Sequence, residues 1–217
     1  MNPDDWPEER MNIFLSSLYE ENPRLLQETE AMAREERIPV IRPQTQGLLR
    51  TLLAAKAPKH LLEIGGAIGF SALFFCEHGP RDMKVTTIEL DQERAERARE
   101  LIEKAGRSEQ ILVLEGDASD ILPALTGTYD FIFQDAAKGQ YLHWLDDILA
   151  LMHEGSMLVT DNILMDLDLI RPHVLLERRD RTIYRRLRAY LYRLTHDPSV
   201  TTSILPVADG VSITVKL

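Results

Sequence analysis

The stretch HLLEIGGAIGFSALFFCEH, residues 60–78, carries the clearest fold signal in this sequence. Its first part, HLLEIG, is short and apolar, as expected for a buried strand, and the part from Ala67 onward is predicted to be a helix. The glycine turn between them, Gly65-Gly66-Ala67-Ile68-Gly69, lets the backbone approach a ligand closely where the helix begins. The stretch therefore predicts a strand–turn–helix unit with a candidate ligand site at the turn.

The alternation of strand and helix continues along the chain. A helix is predicted at DQERAERARELIEKAG, ending at Gly106, and further strands are predicted at KVTTIEL (84–90), ILVLEG (111–116), YDFIFQD (129–135) and SMLVTDN (156–162). The chain closes with TTSILPV (201–207) and VSITVKL (211–217), which the turn dipeptide Asp209-Gly210 joins into an antiparallel hairpin. This pattern predicts an α/β fold: a doubly wound, Rossmann-like sheet, mostly parallel, with an antiparallel C-terminal strand.

The first part of the chain is punctuated by prolines, and the segments between them are predicted to be helices. In one of these segments an apolar face recurs at helical spacing, formed by Leu25, Leu26, Thr29, Met32 and Ala33. We predict a single domain over residues 1–217, with an N-terminal helical extension at 1–58 and a Rossmann-like core at 59–217.

Composition is typical of a soluble folded protein, with 44% hydrophobic and 28% charged residues. The single cysteine, Cys76, lies in an apolar run and is predicted to be a buried structural thiol, compatible with a reducing compartment. The N-terminus lacks the pattern of a secretory signal, and the longest nearly uncharged apolar run, Ile64 to Cys76, is too short to span a bilayer. We therefore expect a cytoplasmic protein without a membrane partner.

Positive charge is concentrated near the C-terminus. Residues 171–193 hold eight arginines against Glu177 and Asp180, a net charge of +6 in a chain whose total is −10. Residues 178–193 are predicted to form an amphipathic helix that packs through Ile183, Leu187, Tyr190, Leu191 and Leu194. The arginines expected to face water are Arg178, Arg179, Arg181, Arg185, Arg186 and Arg188. Such a face is either a solvated surface or a binding surface for phosphates, and the sequence leaves both open.

Acidic residues or glycine turns close every strand of the predicted parallel sheet, at the edge where open α/β sheets bind ligands. The residues at the five strand ends are Gly65-Gly66, Glu89, Gly116-Asp117, Asp135 and Asp161-Asn162. A single acid in such a position is commonly a turn or N-cap residue, but here five strands share the feature. Glu89 follows Gly69 by twenty residues, the separation at which a carboxylate binds both hydroxyls of a ribose. This spacing fits an adenosine-containing ligand, either a nicotinamide cofactor or S-adenosylmethionine.

Two carboxylates and a carboxamide are predicted to meet at the ends of two neighbouring strands: Asp135, Asp161 and Asn162. Hard oxygen donors of this kind suit Mg²⁺ or a similar divalent cation. The six histidines are scattered along the chain, so a zinc site is not predicted. The alternative is that Asp161-Asn162 only ends a strand and starts a loop.

Several segments resemble a known enzyme family. LLEIGGAIGFSA, TTIELD, LEGDA, FIFQDAAKGQY and VTDNIL, in this order, are similar to the metal-dependent S-adenosylmethionine O-methyltransferases of the catechol and caffeoyl-CoA types. The resemblance runs from about Ile38 to Leu217. Within that family, IPVIRP, RDRTIYRRLRAYL and SILPVADGVSITVK resemble the bacterial tRNA 5-hydroxyuridine methyltransferases. The resemblance implies a methyltransferase fold, S-adenosyl-L-methionine and Mg²⁺ (or a similar divalent cation) as cofactors, and a homodimer.

The resemblance also implies a role for individual residues. The metal ligands would be Asp135, Asp161 and Asn162, and the catalytic residues Lys138 and Asp135. Those at the cofactor would be Ile41, Gly65, Gly66, Ser71, Glu89, Asp117, Ala118 and Asp135. The sequence departs from the family pattern at Gly66, where Thr is common, at Phe70, where Tyr is common, and near Leu167, where a glycine is usual. The last departure lies in a loop that flanks the substrate.

The function expected from these features is methylation of 5-hydroxyuridine at the tRNA wobble position to 5-methoxyuridine. In that reading Arg178, Arg181 and Arg185 contact the tRNA substrate. The alternative is an O-methyltransferase of small catechol or phenolic compounds, which needs no basic surface. A non-catalytic cofactor-binding protein or a nicotinamide oxidoreductase would not require the set formed by Asp135, Asp161, Asn162 and Lys138.

Overall fold

A seven-stranded sheet forms the centre of the computed structural model, which describes residues 8–164, 169 and 181–217. The strands are β1 His60–Ile64, β2 Lys84–Glu89, β3 Ile111–Glu115, β4 Tyr129–Gln134, β5 Met152–Thr160, β6 Val200–Leu205 and β7 Val211–Lys216. Their order across the sheet is β3-β2-β1-β4-β5-β7-β6. β1 to β5 are parallel, and β7 runs antiparallel to its neighbours β5 and β6. The predicted fold class is therefore confirmed, including the C-terminal hairpin.

The helices lie before the sheet and between its strands. They are α1 Glu8–Ser17, α2 Arg24–Glu35, α3 Pro43–Lys56, α4 Phe70–His78, α5 Gln92–Lys104, α6 Ala118–Ile121, α7 Tyr141–Ala150 and α8 Arg181–His196. The predicted division at residue 58 falls between α3 and β1, and the division into an extension and a core stays a prediction. No helix in the described ranges is long and apolar enough to cross a membrane.

Helices cover both faces of the sheet, which explains why its strands are almost continuously apolar. Adjacent residues of one strand point to opposite faces: Leu62 packs with α7 and α8, while Leu61 packs with α3, α4 and α5. In β4, Ile132 and Phe133 are divided in the same way, and all four side chains are fully buried. Cys76 is buried on the second face, where burial raises the pKa of its thiol to about 11, as expected for a structural cysteine.

β5 begins earlier than the sequence predicts, at Met152 and not at residue 156. The early part contains the polar residues His153 and Glu154 and a glycine, Gly155, with φ of 78°. The pairing with β4 shifts register there, and the Ser156 hydroxyl stabilises the irregularity by donating to the Tyr129 carbonyl at 2.7 Å. A bulge of this kind interrupts the apolar pattern from which strands are predicted.

Two helical segments follow the loop after β4. Lys138–Gln140 forms a 3₁₀ turn, and the α-helix begins at Tyr141. α8 buries Tyr184, Leu187, Tyr190, Leu191 and Leu194. Tyr184 is buried where Ile183 was expected, and Ile183 is half-buried, so the buried stripe begins one residue later than predicted. The predicted face of α2 is correct, since Leu26, Thr29 and Ala33 are buried.

Candidate active site

A cavity of about 600 Å³ opens at the carboxyl ends of the parallel strands. Its wall includes the sequence-predicted metal, cofactor and lysine positions: Ile41, Gly65, Gly66, Ser71, Glu89, Asp117, Ala118, Asp135, Lys138, Asp161 and Asn162. The fold thus brings together residues spread over more than half of the chain. Arg181 and Arg185 lie on α8 outside this wall, and Arg178 lies outside the described residues.

The glycine turn fits closely between β1, β2 and β4. The backbone N–H groups of Gly65 and Gly66 both donate to the Ile88 carbonyl, at 2.9 and 3.1 Å. Gly65 has φ of 99°, and a Cβ at this position would overlap the carbonyl oxygen of Asp135. Only glycine meets both conditions, which explains why the chain places glycine where β1 ends.

Glu89 and Asp117 have structural roles in addition to those predicted for them. Glu89 is 7% exposed, and its carboxylate accepts hydrogen bonds from Ala67 N at 2.7 Å and from Asp91 N at 2.9 Å. Glu89 therefore ties the glycine turn to the start of α5. Asp117 caps α6 by accepting from Ser119 N at 2.8 Å. Their predicted contacts with ribose and adenine stay predictions.

Asp135, Asp161 and Asn162 lie together because β4 and β5 are paired in register at Gln134 and Thr160, the residues that precede the two aspartates. Asn162 has φ of 61°; its side-chain amide donates to Asp135 Oδ1 at 2.6 Å, and its backbone N–H donates to Asp161 Oδ1 at 2.8 Å. The left-handed conformation of Asn162 thus turns the chain back across both carboxylates.

The two carboxylates are held in an environment that disfavours their charge. Burial, and then the nearby charge of Asp135, raises the pKa of Asp161 to about 7, although the Asn162 N–H and the nearby Thr45 hydroxyl oppose this rise. Burial also raises the pKa of Asp135, against the effects of the Asn162 hydrogen bond and of the Lys138 charge. In the described ranges, no three His, Cys, Asp or Glu side chains form a group that could hold a metal ion. The Asn162 side-chain oxygen is the nearby group that would give a bound metal a third protein ligand.

Lys138 is half-buried at the cavity wall, in the 3₁₀ turn that follows the loop after β4. The start of this loop is held from within by the fully buried phenol of Tyr141. Its oxygen accepts from Ala136 N at 3.1 Å, and its hydrogen can reach the carbonyl of Ala136 at 3.1 Å or of Asp161 at 3.4 Å. Tyr141 thus lies between the backbone of Ala136, after β4, and the backbone of Asp161, after β5.

Glu63 is a buried acid beside the glycine turn that the sequence patterns did not single out. It lies in β1 just before the glycine turn, is fully buried, and neither carboxylate oxygen has a well-oriented hydrogen-bond partner among the described residues. Burial raises its pKa to about 7, while the neighbouring hydroxyls of Ser71 and Thr87 oppose this effect. The sequence signal that could have identified Glu63 is a single acid inside the apolar strand HLLEI. Acids are rarely buried without a partner, so such a position is unusual.

An ion pair crosses one edge of the cavity. Arg42 precedes α3 and lies 2.7 Å from Asp209, in the turn of the C-terminal hairpin. This turn is joined to the chain after Asn162 by two backbone hydrogen bonds, from Ile163 N to the Gly210 carbonyl at 3.0 Å and from Leu164 N to the Asp209 carbonyl at 2.8 Å. The hairpin thus links the segment that carries Ile41 to the loop that carries the predicted metal ligands Asp161 and Asn162.

Arg185 and Arg188 of α8 are exposed, as predicted, whereas Arg181 and Arg186 are half-buried. Arginines of this helix also contact other parts of the chain. Arg186 Nη1 donates to the Gly139 carbonyl at 3.1 Å, and Arg188 Nη1 donates to the Leu169 carbonyl at 3.3 Å. Arg193 pairs with Asp146 at 2.7 Å. Part of the positive charge of this helix therefore stabilises neighbouring loops and α7.

Comparisons with known proteins show the family to which this chain belongs. Residues 16–217 match the family model described as O-methyltransferase. Caffeoyl-CoA O-methyltransferase 5 of Nicotiana tabacum is 33% identical over 172 residues, which cover 76% of this chain and 72% of the relative. Catechol O-methyltransferase of Niastella koreensis is 32% identical over 165 residues, 73% of this chain and 74% of the relative. The SAH-bound Podospora anserina methyltransferase PaMTH1 superposes with a TM-score of 0.87 at 25% identity, covering 100% of this chain and 97% of that one.

The fold and the family match define the class of protein: this chain belongs to the O-methyltransferase family, of the caffeoyl-CoA and catechol type. The predicted enzyme class is therefore confirmed. The matches support the family but not the closer relationship to tRNA 5-hydroxyuridine methyltransferases. The homodimer stays a prediction.

Proposed function

We propose that this protein is an S-adenosylmethionine-dependent, metal-assisted O-methyltransferase that acts on a hydroxyl group of a small catechol or phenolic compound. The observation that carries the proposal is the convergence of Asp135, Asp161 and Asn162 in the cavity that also contains Lys138. The relatives named for caffeoyl-CoA and catechol support this class of acceptor over a nucleic acid.

S-adenosylmethionine would lie along the glycine turn, which approaches a ligand with backbone and without side chains. Gly65 and Ser71 would line its methionine end, Glu89 would accept from the ribose hydroxyls, and Ala118 would contact the adenine. Glu89 already accepts two backbone N–H groups, but each carboxylate oxygen keeps a free acceptor site for a hydroxyl. PaMTH1 was solved with SAH, the product that remains when S-adenosylmethionine has lost its methyl group.

A divalent cation fits the donor set. Burial raises the pKa of both carboxylates, and the charge of Asp135 raises that of Asp161 further, so a cation lying between them would stabilise their charged forms. Mg²⁺ prefers such oxygen ligands. A half-turn of the Asn162 amide would replace its donated N–H by a third oxygen ligand. When bound, the ion would coordinate the acceptor hydroxyl, lower its pKa and orient it.

Lys138 is the chain's own candidate for handling the acceptor proton. In the reaction the bond between the methyl group and the sulfonium sulfur breaks as a bond to the acceptor oxygen forms, and the hydroxyl proton must leave. A neutral Lys138 amine would accept this proton, whereas the ammonium form would stabilise the oxyanion. Tyr141 keeps the nearby backbone in place, since it bonds to both polar groups of Ala136.

The metal role is tested by measuring turnover of a catechol in excess chelator and again after Mg²⁺ is restored, and the lysine role by a substitution. We expect turnover to stop with chelator and to return with Mg²⁺, and full methyl transfer in chelator would refute the metal role. Lys138→Ala should lower kcat by about 100-fold or more with little change in cofactor affinity. Lys59→Ala, at an exposed position at the opposite end of the sheet, is the matched control.

Methylation of 5-hydroxyuridine in tRNA is the second candidate. The specific observation in its favour is that α8, with its arginines, contacts the 3₁₀ turn of Lys138, so a polyanion bound to α8 would reach the cavity. Against it, Arg186, Arg188 and Arg193 are already engaged within the chain. An arginine whose guanidinium already bonds within the chain contributes less to phosphate binding.

The two acceptors are separated by assaying a panel of catechols and phenols beside tRNA that carries unmethylated 5-hydroxyuridine. Turnover of a phenol at saturating concentration supports the small-molecule proposal, and methylation of the wobble uridine alone would refute it. In that second case, Arg181→Gln with Arg185→Gln should weaken tRNA binding and reduce its salt dependence while cofactor affinity is unchanged.

A further inference from the structure

The basic helix α8 contacts the turn that carries Lys138 from the side away from the cavity. Arg186 Nη1 donates to the carbonyl of Gly139, the central residue of the 3₁₀ turn Lys138–Gln140, at 3.1 Å. Ile183, one turn earlier on α8, also lies beside Gly139. We propose that Arg186 is a positioning residue for methyl transfer, because it fixes the backbone from which Lys138 reaches the acceptor. This inference rests on the proposed role of Lys138.

The turn needs such support because of where it lies. Asp135, at the start of the loop, is held by the sheet through a hydrogen bond from its backbone N–H to the Ile64 carbonyl at 3.0 Å. Ala136 is held by the Tyr141 phenol. Lys138 comes two residues further, in a 3₁₀ turn, whose internal hydrogen bonds are weaker than those of an α-helix. Arg186 supplies a hydrogen bond to this turn from a separate element, α8.

α8 itself is fixed to the strands that carry the two aspartates. One turn after Arg186, the fully buried Tyr190 places its hydroxyl 2.7 Å from the Thr160 hydroxyl and 3.1 Å from Gln134 Oε1. Thr160 and Gln134 directly precede Asp161 and Asp135. The same helix therefore holds both the strand ends below the metal-site residues and the turn of the lysine, so it sets their relative position.

An arginine suits this task better than a shorter residue. Its guanidinium reaches a backbone carbonyl on another element while its aliphatic stem packs along the helix surface, and it stays charged at any working pH. A charge-assisted hydrogen bond to a carbonyl is stronger than a neutral one. The competing interpretation is that Arg186 belongs to an acceptor-binding surface, in which case its loss would affect acceptor affinity and not the turn.

The experiment compares Arg186→Gln and Arg186→Lys with Arg185→Gln, which removes the neighbouring exposed arginine of the same helix. The first readout is hydrogen exchange of residues 136–141 in the protein free of metal and cofactor. We expect faster exchange in Arg186→Gln, partial recovery in Arg186→Lys, and no change in Arg185→Gln. Unchanged exchange in Arg186→Gln would overturn the proposal. Gln and Lys are both good helix formers, so neither variant disturbs the helix itself.

The second readout is steady-state kinetics on the acceptor that the enzyme turns over. Arg186→Gln should lower kcat by about 10- to 100-fold, because a displacement of about 1 Å costs on that order, while the acceptor KM and the cofactor Kd change little. A rise in acceptor KM with unchanged kcat would instead assign Arg186 to acceptor binding and overturn the proposal. If Lys138→Ala has no effect on kcat, the proposed lysine role fails. If Lys138→Ala lowers kcat and Arg186→Gln does not, only the positioning role fails.

Discussion

Replacing Glu63 by Gln should remove a pH dependence of folding stability that this buried carboxyl group imposes. Glu63 is fully buried in β1, and its carboxylate oxygens have no well-oriented partner among the described residues. Burial raises its pKa from 4.5 to about 7. The folded protein therefore keeps a proton on Glu63 at pH values where the unfolded chain has released it.

The sign and size of the effect follow from this difference. The contribution of the protonated Glu63 to the free energy of unfolding is fully present below pH 4.5 and is lost as the pH rises through about 7. At about 1.4 kcal/mol for each pH unit between the two values, the loss amounts to about 3 kcal/mol by pH 8. Gln is uncharged at every pH and has a similar shape, so Glu63→Gln should lack this loss and become more stable than the wild type in alkaline solution.

The assay is urea unfolding at several pH values from about 4.5 to 8, in chelator and without cofactor. Asp161, whose pKa burial also raises to about 7, is present in both proteins, so the difference between the two curves isolates Glu63. Glu103→Gln, at an exposed position of α5, is the control and should follow the wild type. Parallel stability curves for wild type and Glu63→Gln across this range would refute the reasoning.

Two further substitutions test the cavity wall. Gly65→Ala places a Cβ against the Asp135 carbonyl at a residue with φ of 99°. We therefore expect the unfolding free energy to fall by about 1–3 kcal/mol and cofactor binding, measured by calorimetry, to weaken at least about tenfold. Wild-type cofactor affinity in this variant would contradict the predicted contact. Arg42→Gln removes a half-exposed ion pair with Asp209, so the unfolding free energy should change by less than about 1 kcal/mol. Cofactor dissociation, measured by stopped flow, should accelerate because the segment that carries Ile41 loses this ion pair to the hairpin. An unchanged dissociation rate would exclude a role of the ion pair in retaining the cofactor.

The order of strands and helices could be read from the sequence because both faces of the sheet are buried. Pairs such as Leu61-Leu62 and Ile132-Phe133 are apolar on both sides, so the strands stand out as continuous runs between polar or glycine-containing turns. The start of β5 was not predictable, because the bulge around Gly155 depends on pairing with Tyr129 across the sheet. The buried stripe of α8 matches the prediction except at its start, where Tyr184 is buried and Ile183 is half-buried.

The acids at the strand ends were predictable for a related reason. The carboxyl ends of parallel strands meet at one edge, so Glu89, Asp135 and Asp161 had to converge once the fold was known. Their hydrogen bonds were not predictable. Glu89 supports the glycine turn, and the amide of Asn162 lies on Asp135, both consequences of a backbone geometry that local sequence patterns do not specify.

The sequence by itself determined the fold class, the ligand edge of the sheet and the residue types available there, because strand periodicity and chain order depend on local composition. Only the tertiary structure decided that Arg186 meets Gly139, that Arg42 meets Asp209 and that Glu63 is buried with no well-oriented hydrogen-bond partner among the described residues. These contacts join residues far apart in the chain. They depend on how helices and loops pack over the sheet. The periodic pattern of a local segment carries no information about which distant residues it will meet.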